Sequence, residues 1–323
     1  MTDKWKVPPD GGHMDRATGI YLQNMTGKEV QERLKKNDLI IVPIGSTEAH
    51  GPHACSGEDT FLVTRMAEFI AHKTGCTVAQ PMWYGSHPFH HLGMPGTIVI
   101  PEETFIAYLR AIIAGLWNTG FRKQILLNGH GQDYAIPVAM HQFGKKYQVP
   151  ALLINVNWWF LIKEHIRDKE HGGPFETPFV HADECETSYS MALFPEMIKM
   201  EDAVDTKGES LMPPGHIGAS GSAYDRPIPF WQHIGASTIE VISTPEGVVG
   251  CATLADPEKA RPGLYAILDY LEKLVNDIMA MYPPGKLPPA EKVTQRPPEE
   301  IEALLKGPFE KGGRHLYTVA YPP

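Results

Sequence analysis

The feature that most constrains the fold is the run Asp38 to Ile44 (DLIIVPI), which is almost continuously apolar and ends at Gly45. A strand with apolar residues on both sides is buried on both faces, as in a parallel sheet that helices cover. The segments that follow alternate between strand-like runs and amphipathic helical patterns. The sequence therefore predicts an α/β fold, a three-layer αβα sandwich with a mostly parallel central sheet, rather than a barrel of eight units.

Periodicity places the other elements of this alternation. Apolar residues recur at helical spacing between Asp59 and His72, and Pro101 with two glutamates opens a second amphipathic segment that Gly120 closes. Asp256 and Pro257 have the pattern of an N-cap and a first-turn proline for a long last helix. Further strands are predicted at Thr77 to Pro81, Gln124 to Leu127 and Ala151 to Val156, and further helices at Ile136 to Tyr147 and Glu186 to Leu193.

The chain is predicted to have three regions: a leader at 1–37, a core domain at 38–282 and an arm at 283–323. Nine of the last 41 residues are proline, which is typical of an extended arm that wraps a surface or a neighbouring subunit. Within the core domain, Asp205 to Ser237 is rich in Gly, Pro and Ser and has no periodicity. This composition predicts a long loop of the functional or mobile kind, for which an active-site cover and subunit packing are both open interpretations.

Net charge and cysteine usage exclude several classes of protein. The 29 Lys and Arg residues against 38 Asp and Glu leave a formal net charge of -9, so no nucleic-acid partner is expected. The four cysteines lie far apart and form no C-x-x-C pair, which indicates a reducing cytoplasm. The first thirty residues lack the apolar core of a signal peptide, and no segment has the length of an apolar membrane span.

Histidine is concentrated in one part of the chain, because 11 of the 15 histidines lie between positions 50 and 181. The first buried strand runs directly into a loop that carries Glu48, His50 and Asp59, and a later strand runs into a turn that contains His130. Loops at the carboxyl ends of parallel strands line one crevice, so these four side chains are expected to meet. Carboxylates and imidazoles without thiolates suit Zn, Mn or Fe in a hydrolytic site.

A third acidic segment, His181 to Ser188 (HADECETS), lies just before or within the first turn of a predicted helix. Acidic residues there have a structural explanation, since they interact favourably with the helix dipole, and Asp183 or Thr187 can cap the helix. Capping needs only one of them. His181 and the remaining acidic residues of the segment are therefore candidates for the same site.

Five motifs resemble those of the creatininase (creatinine amidohydrolase) family, in that family's order. They are Pro43-Ile-Gly-Ser-Thr-Glu-Ala-His-Gly-Pro-His with Asp59, His91-Leu-Gly-Met-Pro-Gly-Thr, Asn128-Gly-His-Gly, His181 to Ser188, and Gly247-Val-Val-Gly before the last helix. Five motifs in register between residues 38 and 280 are far more specific than any one of them. The resemblance implies a binuclear metal hydrolase of a small-molecule substrate, on a three-layer α/β fold that usually assembles as a homohexamer.

The resemblance also implies roles for single residues. Glu48 and His130 would hold one of two divalent ions and His50 the other, with Asp59 bridging them. Zn is the first candidate for both ions, and Mn or Fe are alternatives. Creatininase itself completes the second site with a glutamate two residues after the histidine of its Asn-Gly-His motif, whereas this chain has Gln132 there.

The acidic residue that completes the second site is therefore open. Glu186 is predicted to take this role, and Glu184 is a less regular alternative. Two cations about 3.5–4 Å apart can share a hydroxide at neutral pH, and the predicted mechanism is attack of this hydroxide on a carbonyl. His181 aligns with an active-site histidine of the family and is predicted to carry the proton to the leaving group, and Glu186 shares that work if it does not bind metal.

Three residues are predicted to contact the substrate: Trp159, His91 and Gln132. Trp159 resembles a substrate-packing tryptophan of the family, although aromatic residues after a strand also form ordinary core. His91 has two interpretations, as a residue near the site of its own or a neighbouring subunit, or as a hydrogen-bonding support behind the ligands. The other histidines of these loops are interpreted as loop residues: His53, His87 and His90.

The resemblance leaves the substrate open. The first hypothesis is an amidohydrolase that opens a small cyclic amide, as with creatinine, or cleaves a linear one. The alternative is a ring-opening hydrolase of a C–C bond in a cyclic diketone of inositol degradation, which Gln132 and the long terminal regions favour. A non-catalytic protein without metals is a rival of another class, but it would bury four polar ligands without use.

Overall fold

A four-stranded parallel sheet forms the centre of the protein in this computed structural model, which describes residues 4–8, 14, 16–17, 19–87, 92–207, 244–289 and 296–305. The strands are β1 (Leu39–Ile44), β2 (Thr77–Val78), β3 (Lys123–Asn128) and β4 (Leu152–Asn157), in the spatial order β2-β1-β3-β4. All residues of β1 and β3 are buried. The apolar run that predicted a doubly buried strand is therefore a central strand of the sheet.

Helices cover both faces of this sheet. Within the described residues the α-helices are α1 (Gly27–Lys36), α2 (Glu58–Thr74), α3 (Glu102–Thr119), α4 (Ala135–Tyr147), α5 (Trp158–Leu161), α6 (Glu184–Leu193), α7 (Pro257–Met281) and α8 (Pro298–Leu305). Side chains alternate along β1: Leu39 and Ile41 pack with α2, α6 and α7, whereas Ile40 and Val42 pack with α3 and α4. The predicted three-layer αβα sandwich is confirmed.

Some element boundaries differ from the predicted ones, because hydrogen bonding as well as periodicity sets them. β2 has two residues instead of the predicted Thr77 to Pro81, and Met82 then forms a single bridge with Ile44. Pro81 has no N–H to donate to a ladder. At its other end, α2 stops at Gly75, whose φ of 69° lies in the left-handed region that favours glycine.

The region predicted as a leader contains α1, which the sequence analysis did not predict. Thr26 and Glu29 form a capping box, in which Thr26 Oγ1 accepts from Glu29 N and the Glu29 carboxylate accepts from Thr26 N. Val30 of this helix is buried in the apolar cluster of α3 and α4. The Thr-x-x-Glu spacing was the available signal. The boundaries at 37 and 282 remain predictions.

The long last helix of the core is confirmed as α7. The Asp256 side chain accepts from Glu258 N at 2.9 Å, and Pro257 occupies the first turn. Of the predicted loop from Asp205 to Ser237, residues 208–237 lie outside the described part of the chain. Among the helices that the structure describes, none combines the length and the apolar composition needed to cross a membrane.

A buried ion pair joins β1 and β3 at their amino ends. Lys123 Nζ donates to Asp38 Oδ1 and, at 3.2 Å, to Pro283 O. Asp38 Oδ2 accepts from Gly285 N at 2.9 Å. Only 1% of the Lys123 side chain and 6% of the Asp38 side chain are exposed. This network attaches the chain that follows α7 to the amino edge of the sheet.

We expect Lys123→Met to lower the free energy of unfolding by about 3–5 kcal/mol, because it leaves the Asp38 carboxylate buried without its cation. The double variant with Asp38→Asn should recover part of this loss. Urea denaturation followed by circular dichroism measures both. Lys273→Met, at an exposed ion pair with Asp277, is the control and should change stability by less than about 1 kcal/mol. Equal effects of the two lysine replacements would contradict the prediction.

Candidate metal centre

The candidate site lies at the carboxyl ends of β1 and β3. The loop after β1 carries Glu48 and His50, the first turn of α2 carries Glu58 and Asp59, and the turn after β3 carries His130. All five side chains are buried although each is polar or charged. This is the edge of a parallel sheet at which ligands are expected to bind.

The first group of donor atoms surrounds His130. Its Nδ1 atom lies 2.9 Å from Glu48 Oε2 and 3.0 Å from Asp59 Oδ2. Its Nε2 atom lies 3.1 Å from Ser86 O, which holds the ring with Nδ1 directed at the carboxylates. Ligand atoms about 2.0–2.2 Å from one ion lie roughly 2.8–3.6 Å from each other at angles of 90° to 110°. The predicted first ligand set is therefore brought together at coordinating distances.

The second group surrounds His50. Its Nε2 atom lies 3.6 Å from Asp59 Oδ1, 3.8 Å from Glu186 Oε2 and 3.5 Å from Glu58 Oε2. Its Nδ1 atom lies 3.2 Å from Glu48 O. Asp59 thus directs one oxygen at each group, which is the arrangement required of a bridging carboxylate.

The carboxylates give the cluster a strongly negative potential. Burial by itself lowers the pKa of His50, yet Asp59, Glu58 and Glu186 raise that pKa well above its usual value. The same balance holds at His130, where the neighbouring carboxylates outweigh burial and raise the pKa. Burial, reinforced by Glu58, also raises the pKa of Glu186. A buried cluster that stabilises positive charge in this way suits divalent cations.

The donor atoms fit divalent metal ions. Among the described residues, the buried atoms His50 Nε2 and Glu58 Oε2 have no hydrogen-bond partner, and such atoms are costly unless a ligand satisfies them. Imidazole and carboxylate donors without thiolate suit Zn or Mn. In the part of the chain that the structure describes, three overlapping groups have donor atoms within 4.8 Å of one another. They are Glu48 with His87 and His130, Glu48 with His50 and His181, and His50 with Glu58, Asp59 and Glu186.

Two members of these groups were not predicted from the sequence. The sequence does not single out Glu58, because an acidic residue in a first helical turn has an ordinary explanation and the neighbouring Asp59 is its only signal. His87 was interpreted as a loop residue. It is buried, with Nδ1 3.7 Å from Glu48 Oε1 and Nε2 2.7 Å from Ser46 Oγ.

His181 lies between the two groups. Its Nε2 atom is 2.8 Å from Ala49 O and 3.9 Å from Glu48 Oε1, and its Nδ1 atom is 3.9 Å from Glu186 Oε2. The ring centroids of His181 and His50 are 4.7 Å apart. Because 12% of its side chain is exposed, against 1% for His50, His181 is better placed to meet a substrate.

Of the acidic residues in this segment, only Glu186 reaches the cluster. Asp183 is the N-cap of α6 and accepts from Glu186 N at 3.0 Å. Glu184 accepts from Glu176 N and pairs with Lys259 Nζ at 2.5 Å. The alternative assignment of the fifth ligand to Glu184 therefore has no support in the geometry.

The three predicted substrate contacts have different surroundings. Gln132 is fully buried, and its Oε1 accepts from Ser86 N while its Nε2 donates to Gly45 O, both at 2.9 Å. Trp159 is buried in the apolar cluster on the α2 side of the sheet. His91 lies outside the described residues. Substrate contact by these residues remains a prediction.

The family model described as creatininase, creatinine amidohydrolase, matches residues 23–275. The chain belongs to the creatininase family. It is 61% identical over 305 residues to the 3-dehydro-scyllo-inosose hydrolase of Thermotoga maritima, across 94% of this chain and 98% of that protein. It is 25% identical over 208 residues to the creatinine amidohydrolase of Pseudomonas putida, across 58% of this chain and 76% of that protein.

Solved creatininase structures share the fold. One creatininase superposes with a TM-score of 0.65 at 21% identity, over 83% of this chain and 99% of its own. A putative creatinine amidohydrolase from Bacteroides fragilis gives a TM-score of 0.62 at 26% identity, over 82% of this chain and 97% of its own. Other creatininase structures are described with Mn or as a Zn-Zn type. This creatininase-family protein is a metal-dependent hydrolase.

Close backbone approach at one glycine brings the two loops of this site together. A Cβ atom on Gly129 would lie 2.2 Å from Asp59 O, so no larger residue fits without moving the first turn of α2 or the His130 turn. A Cβ atom on Gly131 would meet nothing within 4 Å. The two glycines flank the same histidine and form a matched pair.

We expect Gly129→Ala to destabilise the protein by about 1–3 kcal/mol and to reduce the divalent metal retained per chain, because the clash separates Asp59 from His130. Gly131→Ala should retain wild-type stability and metal content. Thermal unfolding and elemental analysis of the two purified variants measure the difference. Similar behaviour of the two alanine variants would show that close packing at Gly129 is not required.

Proposed function

We propose that this protein is a 3-dehydro-scyllo-inosose hydrolase, which breaks a ring C–C bond of this cyclic diketone by adding water. The observation that carries the proposal is the identity of 61% to the Thermotoga maritima hydrolase of that name, which extends over nearly the whole of both chains. The likeness to creatinine amidohydrolase is 25% and covers 58% of this chain. Of the two substrate classes that the sequence left open, the cyclic diketone is therefore favoured.

We also propose that the site holds two divalent ions, with Zn as the first candidate and Mn or Fe as alternatives. Glu48, Asp59 and His130 would hold one ion, and His50, Asp59 and Glu186 the other. Such ions, when bound, lower the pKa of a water molecule toward neutrality and polarise a carbonyl oxygen. Asp59 would contribute one oxygen to each ion, because its two oxygens face His50 and His130.

His181 is the proposed proton carrier. Its Nε2 lies 2.8 Å from the Ala49 carbonyl, which can only accept, so Nε2 carries the hydrogen and Nδ1 is the basic nitrogen. Nδ1 is on the side of Glu186 Oε2. When water adds to a carbonyl carbon and the ring C–C bond breaks, His181 can take the proton of the water and return it to the released carbon.

A homohexamer in the cytoplasm completes the proposal. All four cysteines are free thiols, which suits a reducing compartment. Tyr84, Leu92 and Ile98 lie in the chain between β2 and α3, and 52%, 57% and 46% of their surfaces are exposed. A neighbouring subunit would cover such apolar side chains. Light scattering of the purified protein measures the assembly.

The substrate assignment predicts ring opening of 3-dehydro-scyllo-inosose with a kcat/KM at least about 100-fold above that for creatinine or formamides. Binding hydroxyl groups of a polyol ring selects strongly against substrates that lack them, because the buried partners are then unpaired. Product formation from the three substrates, followed by chromatography and mass spectrometry, measures the ratio. Creatinine turnover at an ordinary enzymatic rate would refute the assignment.

We expect His181→Asn to lower kcat by about 10²- to 10⁴-fold without reducing the metal content, because it removes the proton carrier and leaves the proposed ligands. His141→Asn, at an exposed position on α4, is the control and should retain wild-type kcat. Elemental analysis must accompany the kinetics. Loss of metal from the His181 variant would instead make His181 a ligand.

Metal dependence has its own test. Incubation with a chelator should abolish activity, and Zn, Mn or Fe should restore it, because the carboxylates and imidazoles of the cluster require cations to act together. Elemental analysis after gentle purification should give about two ions per chain. Fewer than one ion per chain, with activity unaffected by the chelator, would favour a role without metals.

A further inference from the structure

We propose that Glu58 is a fourth ligand of the second metal position, beside His50, Asp59 and Glu186. This inference rests on the proposed binuclear site. It concerns a residue that no motif of the sequence singled out, and it gives the second position a carboxylate from the first turn of α2. Four observations carry it.

The first observation is that both polar groups of the Gln132 side chain already have hydrogen-bond partners. Its side-chain oxygen accepts from Ser86 N, and its side-chain nitrogen donates to Gly45 O at 2.9 Å and to Asn128 Oδ1 at 3.3 Å. To coordinate an ion, the side chain would have to abandon buried backbone groups, each of which then lacks its partner. Gln132 supports the loops around the site, so the second position needs a donor from another element.

The second observation is the distance of Glu58 from the other donors. Glu58 Oε2 is 3.5 Å from His50 Nε2, which is the shortest of the three separations between His50 Nε2 and the carboxylates around it. The four donor atoms of this group all lie within 4.8 Å of one another. Ligand atoms of one ion are separated by roughly 2.8–3.6 Å, and an ion with five-coordinate geometry keeps a position for water beside four protein donors. Glu58 therefore satisfies the distance criterion at least as well as Glu186.

The third observation is the orientation of the carboxylate. Glu58 Oε2 is buried and lacks a hydrogen-bond partner in the part of the chain that the structure describes, as does His50 Nε2, which it faces. The other oxygen, Oε1, accepts from the Ser190 hydroxyl. Ser190 lies one turn after Glu186 on α6. Its hydrogen bond to Glu58 therefore holds the Glu58 carboxylate beside the helix that carries Glu186. A hydrogen bond to one oxygen is the usual way in which a ligating carboxylate is oriented.

The fourth observation is the balance of charge. Glu48, Asp59, Glu58 and Glu186 are all at most 6% exposed and contribute one negative charge each when ionised. Two dications neutralise four carboxylates, and a neutral cluster is the least costly one to bury. Favourable interaction with the dipole of α2 explains an acidic residue in its first turn, but it requires neither burial nor an orientation toward His50.

The experiment compares Glu58→Gln with Glu68→Gln. Glu68 is also a buried glutamate of α2, but it bonds to Tyr21 Oη and Arg65 and lies outside the cluster. Zinc binding to each apoprotein is titrated by calorimetry, and the spectrum of the cobalt-substituted protein is recorded. We expect Glu58→Gln to keep one tight site, to bind the second ion about tenfold or more weakly, and to change the cobalt spectrum. Glu68→Gln should match the wild type.

Two ions bound by Glu58→Gln with wild-type affinity and an unchanged cobalt spectrum would overturn the proposal. If that variant does not fold, a crystal structure of the zinc-loaded wild type tests the proposal. A Glu58 oxygen about 2.0–2.2 Å from the second ion supports it, and a longer distance refutes it. None of these measurements uses the organic substrate, so failure to hydrolyse the diketone leaves them valid. If Glu186→Gln loses the second ion and Glu58→Gln does not, the binuclear site stands and the assignment of Glu58 falls.

Discussion

Four buried carboxylates lie close together at one edge of the sheet, and their mutual repulsion is the constraint that the fold and its site must satisfy. Glu48, Glu58, Asp59 and Glu186 converge from one loop and two helix starts onto one edge of the sheet. A parallel sheet that is covered on both faces makes this convergence possible, because its strand ends are rigid and close together. At Gly45 a Cβ atom would lie 2.4 Å from Thr60 N, so the β1 loop packs directly on α2. The folded chain therefore needs positive charge at this edge of the sheet to offset the four carboxylates.

Backbone carbonyl groups orient three of the imidazoles of the site. His130 Nε2 faces Ser86 O, His50 Nδ1 faces Glu48 O and His181 Nε2 faces Ala49 O. A carbonyl oxygen accepts but cannot donate, so it fixes which nitrogen carries the hydrogen and leaves the other nitrogen directed at the carboxylates. Two of these carbonyls, Glu48 O and Ala49 O, belong to the loop after β1. This loop therefore supplies proposed ligands and also orients two of the histidines.

The sequence predicted the architecture and most of the site because both depend on patterns that are local in the chain. The apolar run of β1, the capped start of α7 and the ligand motifs after β1 and β3 are all of this kind. Glu58 and the buried position of His87 were not predictable, since both depend on the direction in which a side chain points after distant segments have packed. The choice between Glu184 and Glu186 was open for the same reason. A hydrogen bond from Glu176 N and a salt bridge to Lys259 hold Glu184 outside the cluster.

The chain that follows α7 is attached to one pole of the sheet. Asp38 and Lys123 bind Pro283 O and Gly285 N at the amino edge of the sheet, whereas every proposed ligand lies at the carboxyl edge. Six residues of strand separate the two edges by about 20 Å. The segment 283–285 is therefore anchored at the pole of the molecule opposite the coordinating groups, and loosening this anchor touches none of the proposed donor atoms.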